Sequence, residues 1–470
     1  MTDLAQDFSS PAAGRSPSSR FYSTVWRWHF YAGLYVAPFL IMLAVTGLIM
    51  LWSATLTGRN GENTAISQGT TTVSVGAQAI AAATAVPGGT VSTYIAPNAP
   101  NHVAGFRVDQ GDNSWIVLID PYTGAVVHKV QRNGGLYDIA NKIHGTLLIG
   151  TLGDRLIEIA ASLGMVLIVT GVYLWWPRGS RTAAAALKLD LRGRRRPLWK
   201  SLHQTIGAYA TLILALFLVS GLSWAGIWGE RYVQAWSTFP AGKFDNVPLS
   251  DTTHAAMNHG GEKEVPWALE ETPMPMSGSD AGTMAMPMGE AITLDSVVAT
   301  ARSLGFEGRM QANLPAGDSG VWTISRDTMS KDSHDVTNDR TVHIDRYTGK
   351  ILADIRFADY SLAGKAMAVG IPLHEGDFGW ANVAFNTAFC LTVIFIAVSG
   401  VVMWWQRRPS GAARLAAPPL PAEVPFSKGA ALVILAVSFA FPLAGLTLLA
   451  VLAADFLVLS RVPFLKRVLS

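Results

Sequence analysis

The chain has 470 residues, of which 50% are hydrophobic and only 15% are charged, and its formal net charge is +3. A soluble protein of this length usually has about 25% charged residues, so the composition indicates an integral membrane protein. The single cysteine, Cys390, excludes an intramolecular disulfide, a cysteine-ligated iron–sulfur cluster and a Cys-x-x-Cys-His haem attachment.

In chain order, the apolar and polar segments predict two consecutive units, each made of a span, an outer α+β domain and a second span. The first unit has a tail over 1–24, span 1 over 25–53, an outer domain over 54–143, a histidine segment with span 2 over 144–177, and a basic linker over 178–198. The second has span 3 over 199–229, an outer domain over 230–373, a histidine segment with span 4 over 374–406, and a linker over 407–427. A final membrane segment over 428–460 is either one span kinked at Pro442 or a hairpin.

Arginine and lysine are concentrated in the tail and in the two linkers. By the positive-inside rule these segments are cytoplasmic, and the two long connections are outside. The first apolar run has no small-residue cleavage site and is interpreted as a signal anchor. The basic 178–198 linker is interpreted as a topology determinant rather than a nucleic-acid site.

Matching motifs recur at matching spacing in the two units. A histidine precedes a small pair by 17 positions in both, from His29 to Thr46-Gly47 and from His203 to Ser220-Gly221. The outer domains share the turn sequences IDPYTG and IDRYTG, and spans 2 and 4 end in LWWPR and MWWQRRP. This agreement indicates a duplication, with two units related by an axis along the membrane normal.

Four histidines form two pairs of equivalent positions at the ends of the spans. His29 and His203, the first histidine pair, begin spans 1 and 3 at the inner face, and His144 and His374, the second histidine pair, precede spans 2 and 4 at the outer face. Ionisable groups at such depths are costly and usually functional. Two imidazoles facing each other across an axis are typical of haem b, so we predict two bis-histidine haem sites.

Glycines lie at the levels where a flat macrocycle would need room between helices. The six predicted to give haem clearance are Gly33, Gly207, Gly47, Gly221, Gly171 and Gly400. Glycines in membrane helices also serve packing alone. His102, His128 and His343 lie in strand-like stretches and are interpreted as ordinary surface or core residues, and His334 lies in a polar loop.

The second outer domain contains a Met-rich insertion over 246–290. Its histidines and methionines are His254, Met257, His259, Met274, Met276, Met284, Met286 and Met288. Soft thioethers suit Cu(I), which would indicate copper handling. The other interpretation is a mobile outer loop that tolerates Met and Pro.

The RWHFYAGL start, the run IHGTLLIGTLGDRLIEIAASLGMVLIVTGVYLWWPR and the two YTG turns resemble the PepSY-associated transmembrane (PepSY-TM) family over most of residues 22–408. That family includes iron-regulated inner-membrane proteins and ferric-siderophore reductases of Gram-negative bacteria. The resemblance implies periplasmic PepSY-like domains, an inner-membrane location, and haem ligation by His29, His144, His203 and His374.

Three functions remain open at this stage. The first is a di-haem b oxidoreductase that takes electrons from a cytosolic reductase or membrane quinol and reduces a ferric siderophore or other ferric chelate in the periplasm. The chain has no GxGxxG motif after a strand, so flavin or nicotinamide must belong to a partner. The second is a non-enzymatic PepSY-type binding or regulatory membrane protein, and the third is copper handling through the insertion.

Overall fold

The computed structural model describes residues 17–178, 182–238, 241–244, 246–258, 265–286, 291–408, 415–418, 428–454, 457, 461–462 and 464. Most of the predicted tail, most of the 407–427 linker, His259 and Met288 lie outside the described residues. The chain divides into two compact units. The helical unit comprises Met1–Ala44, Gly150–Trp228 and Leu391–Ser470, and the sheet unit comprises Val45–Ile149 and Gly229–Cys390.

The helices and strands have the following bounds. The helices are α1 (Pro17–Leu56), α2 (Val75–Thr84), α3 (Leu136–Thr146), α4 (Thr151–Trp175), α5 (Ala183–Ala186), α6 (Arg196–Leu222), α7 (Trp228–Tyr232), α8 (Leu294–Ser303), α9 (Leu362–Glu375), α10 (Trp380–Arg407), α11 (Lys428–Ala440) and α12 (Pro442–Ala454). The strands are β1 (Thr90–Ile95), β2 (Ala104–Gln110), β3 (Asn113–Ile119), β4 (Val126–Gln131), β5 (Leu249–Thr253), β6 (Pro273–Pro275), β7 (Thr283–Met284), β8 (Gln311–Asn313), β9 (Val321–Arg326), β10 (Arg340–Asp345) and β11 (Lys350–Arg356).

Four helices in the described part of the chain are long and apolar enough to cross a membrane, and each overlaps one of the four predicted spans, although α6 ends at Leu222 whereas span 3 was predicted to end at residue 229. These are α1 from Arg20 onward, α4, α6 and α10. Within the helical unit, α4 and α6 pack closely where Gly164 faces Leu218, since a Cβ at Gly164 would lie 2.9 Å from Leu218 Cδ1. Glycine at this crossing allows the close approach that membrane helices use for packing.

The C-terminal apolar segment is not one continuous helix. The segment forms α11 and α12, of 13 residues each, which are separated at Phe441. A Cβ at Gly445 would lie 2.9 Å from Ser438 Cβ, whereas seven residues of straight helix extend about 10 Å. The chain therefore bends sharply before Pro442, as in the hairpin alternative, because proline cannot continue the hydrogen-bond ladder of α11.

Both outer segments contribute to a single antiparallel sheet in the sheet unit. The strand order is β4-β3-β2-β1-β8-β9-β10-β11-β7, so the two halves meet where β1 pairs with β8. Each half is a helix followed by a four-stranded meander, α2 with β1–β4 and α8 with β8–β11. The sequence predicted two outer α+β domains and did not show whether they pack together. Pairing β1 with β8 covers two strand edges that separate domains would leave exposed.

The YTG turns connect equivalent strands, β3 to β4 and β10 to β11. Asp120 Oδ1 accepts from Tyr122 N at 2.9 Å, and Asp345 Oδ1 accepts from Tyr347 N at 2.8 Å. Gly124 and Gly349 end the two turns at φ values of 73° and 65°, which glycine adopts without strain. The shared motif therefore encodes the same aspartate-capped turn twice.

The two faces of the β8–β10 region are covered differently. Helices α2 and α8 pack on one face through Ala82, Val297 and Ala301, against strand residues such as Ile324 and Val342. The opposite face is polar and yet largely buried. Its residues on β8, β9 and β10 are Gln311, Asn313, Thr323, Ser325, Thr341 and His343.

The Met-rich insertion covers part of that polar face, and its described part is not only an irregular loop. Strands β5 and β6 pair with each other, and β7 pairs with β11 at the edge of the large sheet. Met286 is buried in the hydrophobic core, whereas Met284 on β7 is exposed. The methionines therefore do not share one environment.

Candidate functional site

The first histidine pair lies within the helical unit. His29 on α1 and His203 on α6 have ring centroids 6.4 Å apart, with ring planes at 86°. Both imidazoles are partly exposed. The structure therefore brings together two histidines that are far apart in the sequence, as the repeat predicted.

A hydroxyl group on α4 fixes His29. The Nδ1 atom of His29 is 2.9 Å from Thr170 Oγ1, and that hydroxyl donates its own proton to the carbonyl of Val166 at 2.7 Å. Since the hydroxyl proton is engaged, Thr170 Oγ1 accepts and His29 Nδ1 carries the donated proton.

His203 is fixed in the same way on α10. Its Nδ1 lies 2.8 Å from Ser399 Oγ and 3.1 Å from the carbonyl of Ile396. A carbonyl oxygen only accepts, so the proton is on Nδ1. In both residues Nε2 then has the lone pair, and no hydrogen bond among the described residues occupies either Nε2.

Each of these hydroxyl residues is followed by a glycine that lies against the imidazole it binds. A Cβ at Gly171 would be 3.3 Å from His29 Cε1, and one at Gly400 would be 3.7 Å from His203 Cε1. The hydroxyl–glycine pairs Thr170-Gly171 and Ser399-Gly400 therefore each position a histidine ring: the hydroxyl binds Nδ1, and the glycine leaves room for Cε1.

His144, in the sheet unit, contacts a hydroxyl–glycine pair of the same kind. This residue lies in the last turn of α3, its Nδ1 is 2.9 Å from Thr46 Oγ1, and a Cβ at Gly47 would be 3.8 Å from its Cε1. Thr46-Gly47 is the pair whose spacing from His29 the sequence singled out. Three of the four predicted ligands thus share one local arrangement.

His374 lies near the end of α9, which stops at Gly376 with φ 89°. Asn386 on α10 donates to the backbone carbonyls of Leu373 and His374 at 3.0 and 2.9 Å. Glu375 forms an ion pair with Arg59 at 2.7 Å. These contacts hold the end of α9 in place.

Five of the six predicted clearance glycines, all except Gly221, fall into two groups. Gly171, Gly400 and Gly47 face histidine rings directly, a role different from the predicted clearance for a macrocycle. A Cβ at Gly33 would meet Leu167 at 3.9 Å, and one at Gly207 would meet nothing within 4 Å. The space beside Gly207 is compatible with clearance, whereas Gly33 is in ordinary contact distance of a side chain.

The structure also contains a pair of histidines that the sequence did not predict. His254 and His343 are fully buried in the sheet unit, and their Nε2 atoms are 2.9 Å apart. Burial lowers the pKa of His254 to about 4, and burial followed by the charge of His254 lowers that of His343 well below its usual value. We call these residues the buried histidine pair. Because these two histidines are 89 residues apart, no local sequence pattern links them, and only the three-dimensional structure shows that they are paired.

Among the described residues, no group of three or more His, Cys, Asp and Glu side chains is arranged to hold a metal ion. The first pair offers two imidazoles with ring centroids 6.4 Å apart, which suits a metal whose other ligands come from elsewhere.

The four apolar helices, two of which bring His29 and His203 together, indicate a multi-pass membrane protein. The chain belongs to the family described as the PepSY-associated TM region, whose profile matches residues 26–407. This match confirms the family that the sequence motifs indicated. A comparison with curated proteins found no match.

Proposed function

We propose that the protein is a di-haem b oxidoreductase that conducts electrons across the bacterial inner membrane and reduces a ferric chelate, such as a ferric siderophore, in the periplasm. The first histidine pair would hold one haem and the second would hold the other. The observation that carries the proposal is the separation of His29 and His203.

That separation fits an iron atom between the two rings. A metal lies about 2.0 Å from an imidazole nitrogen, which is itself about 1.1 Å from its ring centroid, so two imidazoles that hold one metal from opposite sides would have centroids about 6.2 Å apart. The centroids of His29 and His203 are 6.4 Å apart. Direct hydrogen bonding between the rings would bring them closer, as the buried histidine pair shows with 4.9 Å.

The hydrogen bonds of Nδ1 also support ligation. Metal-bound histidines almost always donate their other ring N–H to an acceptor, which fixes the tautomer and raises the basicity of the ligand. His29 and His203 both do so, through Thr170 and through Ser399 with Ile396. The bond between His144 and Thr46 extends the same pattern to the second histidine pair.

The groups on this chain have distinct tasks in the proposed reaction. Haem b supplies reversible one-electron transfer at iron when it is bound. The four histidines would hold the two iron atoms, and the hydroxyl partners of His29, His203 and His144 would tune ligand basicity. Reduction to Fe(II) weakens binding by hard oxygen chelators, which would release the iron. A cytosolic reductase or membrane quinol would donate the electrons.

The proposed topology follows from the duplicated sequence motifs and the charge distribution. We place the N-terminus and the basic linkers in the cytoplasm and the nine-stranded sheet in the periplasm. The equal element order α2-β1-β2-β3-β4 and α8-β8-β9-β10-β11 supports the two-unit interpretation.

The first test is the absorption spectrum of the detergent-purified protein, oxidised and reduced with dithionite, with haem quantified per chain. We expect sharp low-spin b-type bands and about two haems per chain, and His374→Ala should remove one. A haem count that is unchanged in His374→Ala would contradict the assignment of the second pair. A colourless protein, after expression with adequate haem supply, would favour the non-enzymatic PepSY-type function instead.

A further inference from the structure

The buried histidine pair lies at a contact between the insertion and the polar face of the sheet. His254 belongs to a 3₁₀ turn after β5, and His343 lies on β10. Both side chains are 0% exposed. Two imidazoles buried against each other are a costly arrangement unless every nitrogen has a partner.

The hydrogen bonds assign a tautomer to each ring. His254 Nδ1 is 2.7 Å from the carbonyl of Thr272, so it carries a proton, and its Nε2 has the lone pair. His343 Nε2 therefore donates to His254 Nε2 at 2.9 Å. His343 Nδ1 is left as the acceptor for the hydroxyl of Thr323 at 3.0 Å.

A small cavity adjoins this chain of hydrogen bonds. Its lining includes His254, Met257, Thr323 and Thr341, and the buried hydroxyl of Thr341 has no hydrogen-bond partner. The cavity volume is about 10 Å³, about what one water molecule needs. This size excludes an organic substrate and leaves room for a single water molecule or ion.

The ligand chemistry around the cavity selects the ion. His254 and Met257 line the cavity, and His343 lies behind His254, with its Nε2 2.9 Å from that of His254. Imidazole and thioether are borderline and soft ligands, and thioether ligands select Cu(I). Structural zinc takes four ligands, usually with thiolate or further imidazole. The described residues provide no third His, Cys, Asp or Glu for such a site.

We propose that His254, His343 and Met257 form a binding site for one Cu(I) ion beneath the Met-rich insertion. The site uses none of the residues of the proposed haem sites, although it lies in the sheet unit together with the second histidine pair. It also gives the copper chemistry suggested by the insertion a defined location at a buried pair, rather than in the exposed methionines.

Binding requires a small rearrangement with no net change in protons. Two nitrogens that are each about 2.0 Å from a tetrahedral metal are about 3.3 Å apart, so the pair must open by about 0.4 Å. The proton on His343 Nε2 moves to Nδ1, where it donates to Thr323 Oγ1 after the hydroxyl rotates. Both Nε2 lone pairs then face the ion.

The test is anaerobic titration of the full-length protein with Cu(I) in competition with bathocuproine disulfonate. We expect one tightly bound Cu(I) per chain, lost in His254→Gln and in His343→Gln by more than about 100-fold, because removing a ligand should exceed the cost of losing an outer-shell partner. Met257→Leu should weaken binding by about 10-fold or more.

Two substitutions serve as matched controls. His128→Gln removes an exposed imidazole from β4 of the same unit, and Met284→Leu removes an exposed thioether from the insertion. Both should bind Cu(I) as the unsubstituted protein does. Unchanged affinity in both buried-pair variants, or no Cu(I) binding by the unsubstituted protein, would overturn the proposal.

X-ray absorption on the unsubstituted protein keeps the proposal testable if the buried-pair variants do not fold. We expect two nitrogens at about 2.0 Å and one sulfur at about 2.3 Å from copper. A shell of sulfur alone would place the ion among the other methionines and reject the site.

Discussion

The first histidine pair holds its rings 6.4 Å apart with both Nε2 atoms unbonded among the described residues, whereas the buried pair holds its rings 4.9 Å apart with the Nε2 atoms bonded to each other. The Nδ1 partners cause the difference. His29 and His203 each donate from Nδ1, so both present a lone pair and cannot bond to each other directly. His254 also donates from Nδ1, but His343 accepts there and therefore has an Nε2 proton to share. The groups bonded to Nδ1 therefore decide whether both histidines of a pair have an Nε2 lone pair available for a metal.

The largest effect that separates the two pairs is loss of haem. We expect His203→Ala to remove one of the two proposed haems, because His203 would be one of the two residues that hold it, and His343→Gln to retain both. The measurement is haem per chain by pyridine haemochrome. Equal haem contents in His203→Ala and His343→Gln would contradict the assignment of haem binding to the first histidine pair and not to the buried histidine pair.

A smaller effect is expected from filling the space beside His29. A Cβ at Gly171 would already be 3.3 Å from His29 Cε1, so the branched side chain of Gly171→Val should displace the ring and reduce haem bound at the first pair. Gly33→Ala is the control, since its Cβ would only meet Leu167 at 3.9 Å. Haem content and the low-spin spectrum check both, and a full haem complement in Gly171→Val would show that Gly171 does not position His29.

Substitution of Thr170 is expected to change a haem reduction potential without loss of haem. Thr170→Val keeps the shape of the side chain but removes the acceptor for His29 Nδ1–H, which lowers ligand basicity and should raise the reduction potential of one haem. Spectroelectrochemical titration measures the two potentials. Thr323→Val, at the buried pair, should leave both potentials unchanged, and a shift there would contradict the separation of the two sites.

The smallest effect is on acid stability and concerns the buried pair alone. Since the pKa of His254 falls from 6.5 in the unfolded chain to about 4 when folded, the unfolded chain binds more protons between these pH values, and stability should fall as the pH falls from 6.5 to 4. His254→Gln should show a weaker fall, measured by thermal unfolding across that range.

Asp339 acts with the opposite sign in part of the same range. Burial raises its pKa to about 7, so its contribution to stability is lost as the pH rises from 3.8 to 7. The informative quantity is therefore the difference between His254→Gln and the unsubstituted protein, in which this contribution cancels. His128→Gln should give no such difference.

The sequence predicted the elements whose signals are local. Four spans follow from apolar length, and the YTG turns follow from Asp120 and Asp345 with their glycines. The sequence showed the spacing of Thr46-Gly47 and Ser220-Gly221, but it did not show that such hydroxyl–glycine pairs position histidine rings. Thr170-Gly171 and Ser399-Gly400 reveal it only when packed helices bring a histidine against them.

The sequence could not predict contacts between distant segments. Strand pairing depends on partners rather than on local pattern, so the joining of β1 to β8 was missed. His343 was interpreted as an ordinary surface or core residue because it lies in the strand-like stretch RTVHID, and alternation along a strand does not show what covers its polar side. The insertion buries that side, which no periodicity shows.

The β1–β8 seam has a consequence for biosynthesis. Thr93 on β1 donates to Asn313 on β8 at 2.7 Å, across 220 residues that include the apolar helices α4 and α6. A ribosome delivers β1 to β4 long before β8, so the half-sheet must wait with an open edge while two membrane segments are inserted. The sheet can therefore be completed only after α4, α6 and β8 have been synthesised. A chain arrested before β8 would expose the edge of β1 to chaperones, proteases or another nascent chain.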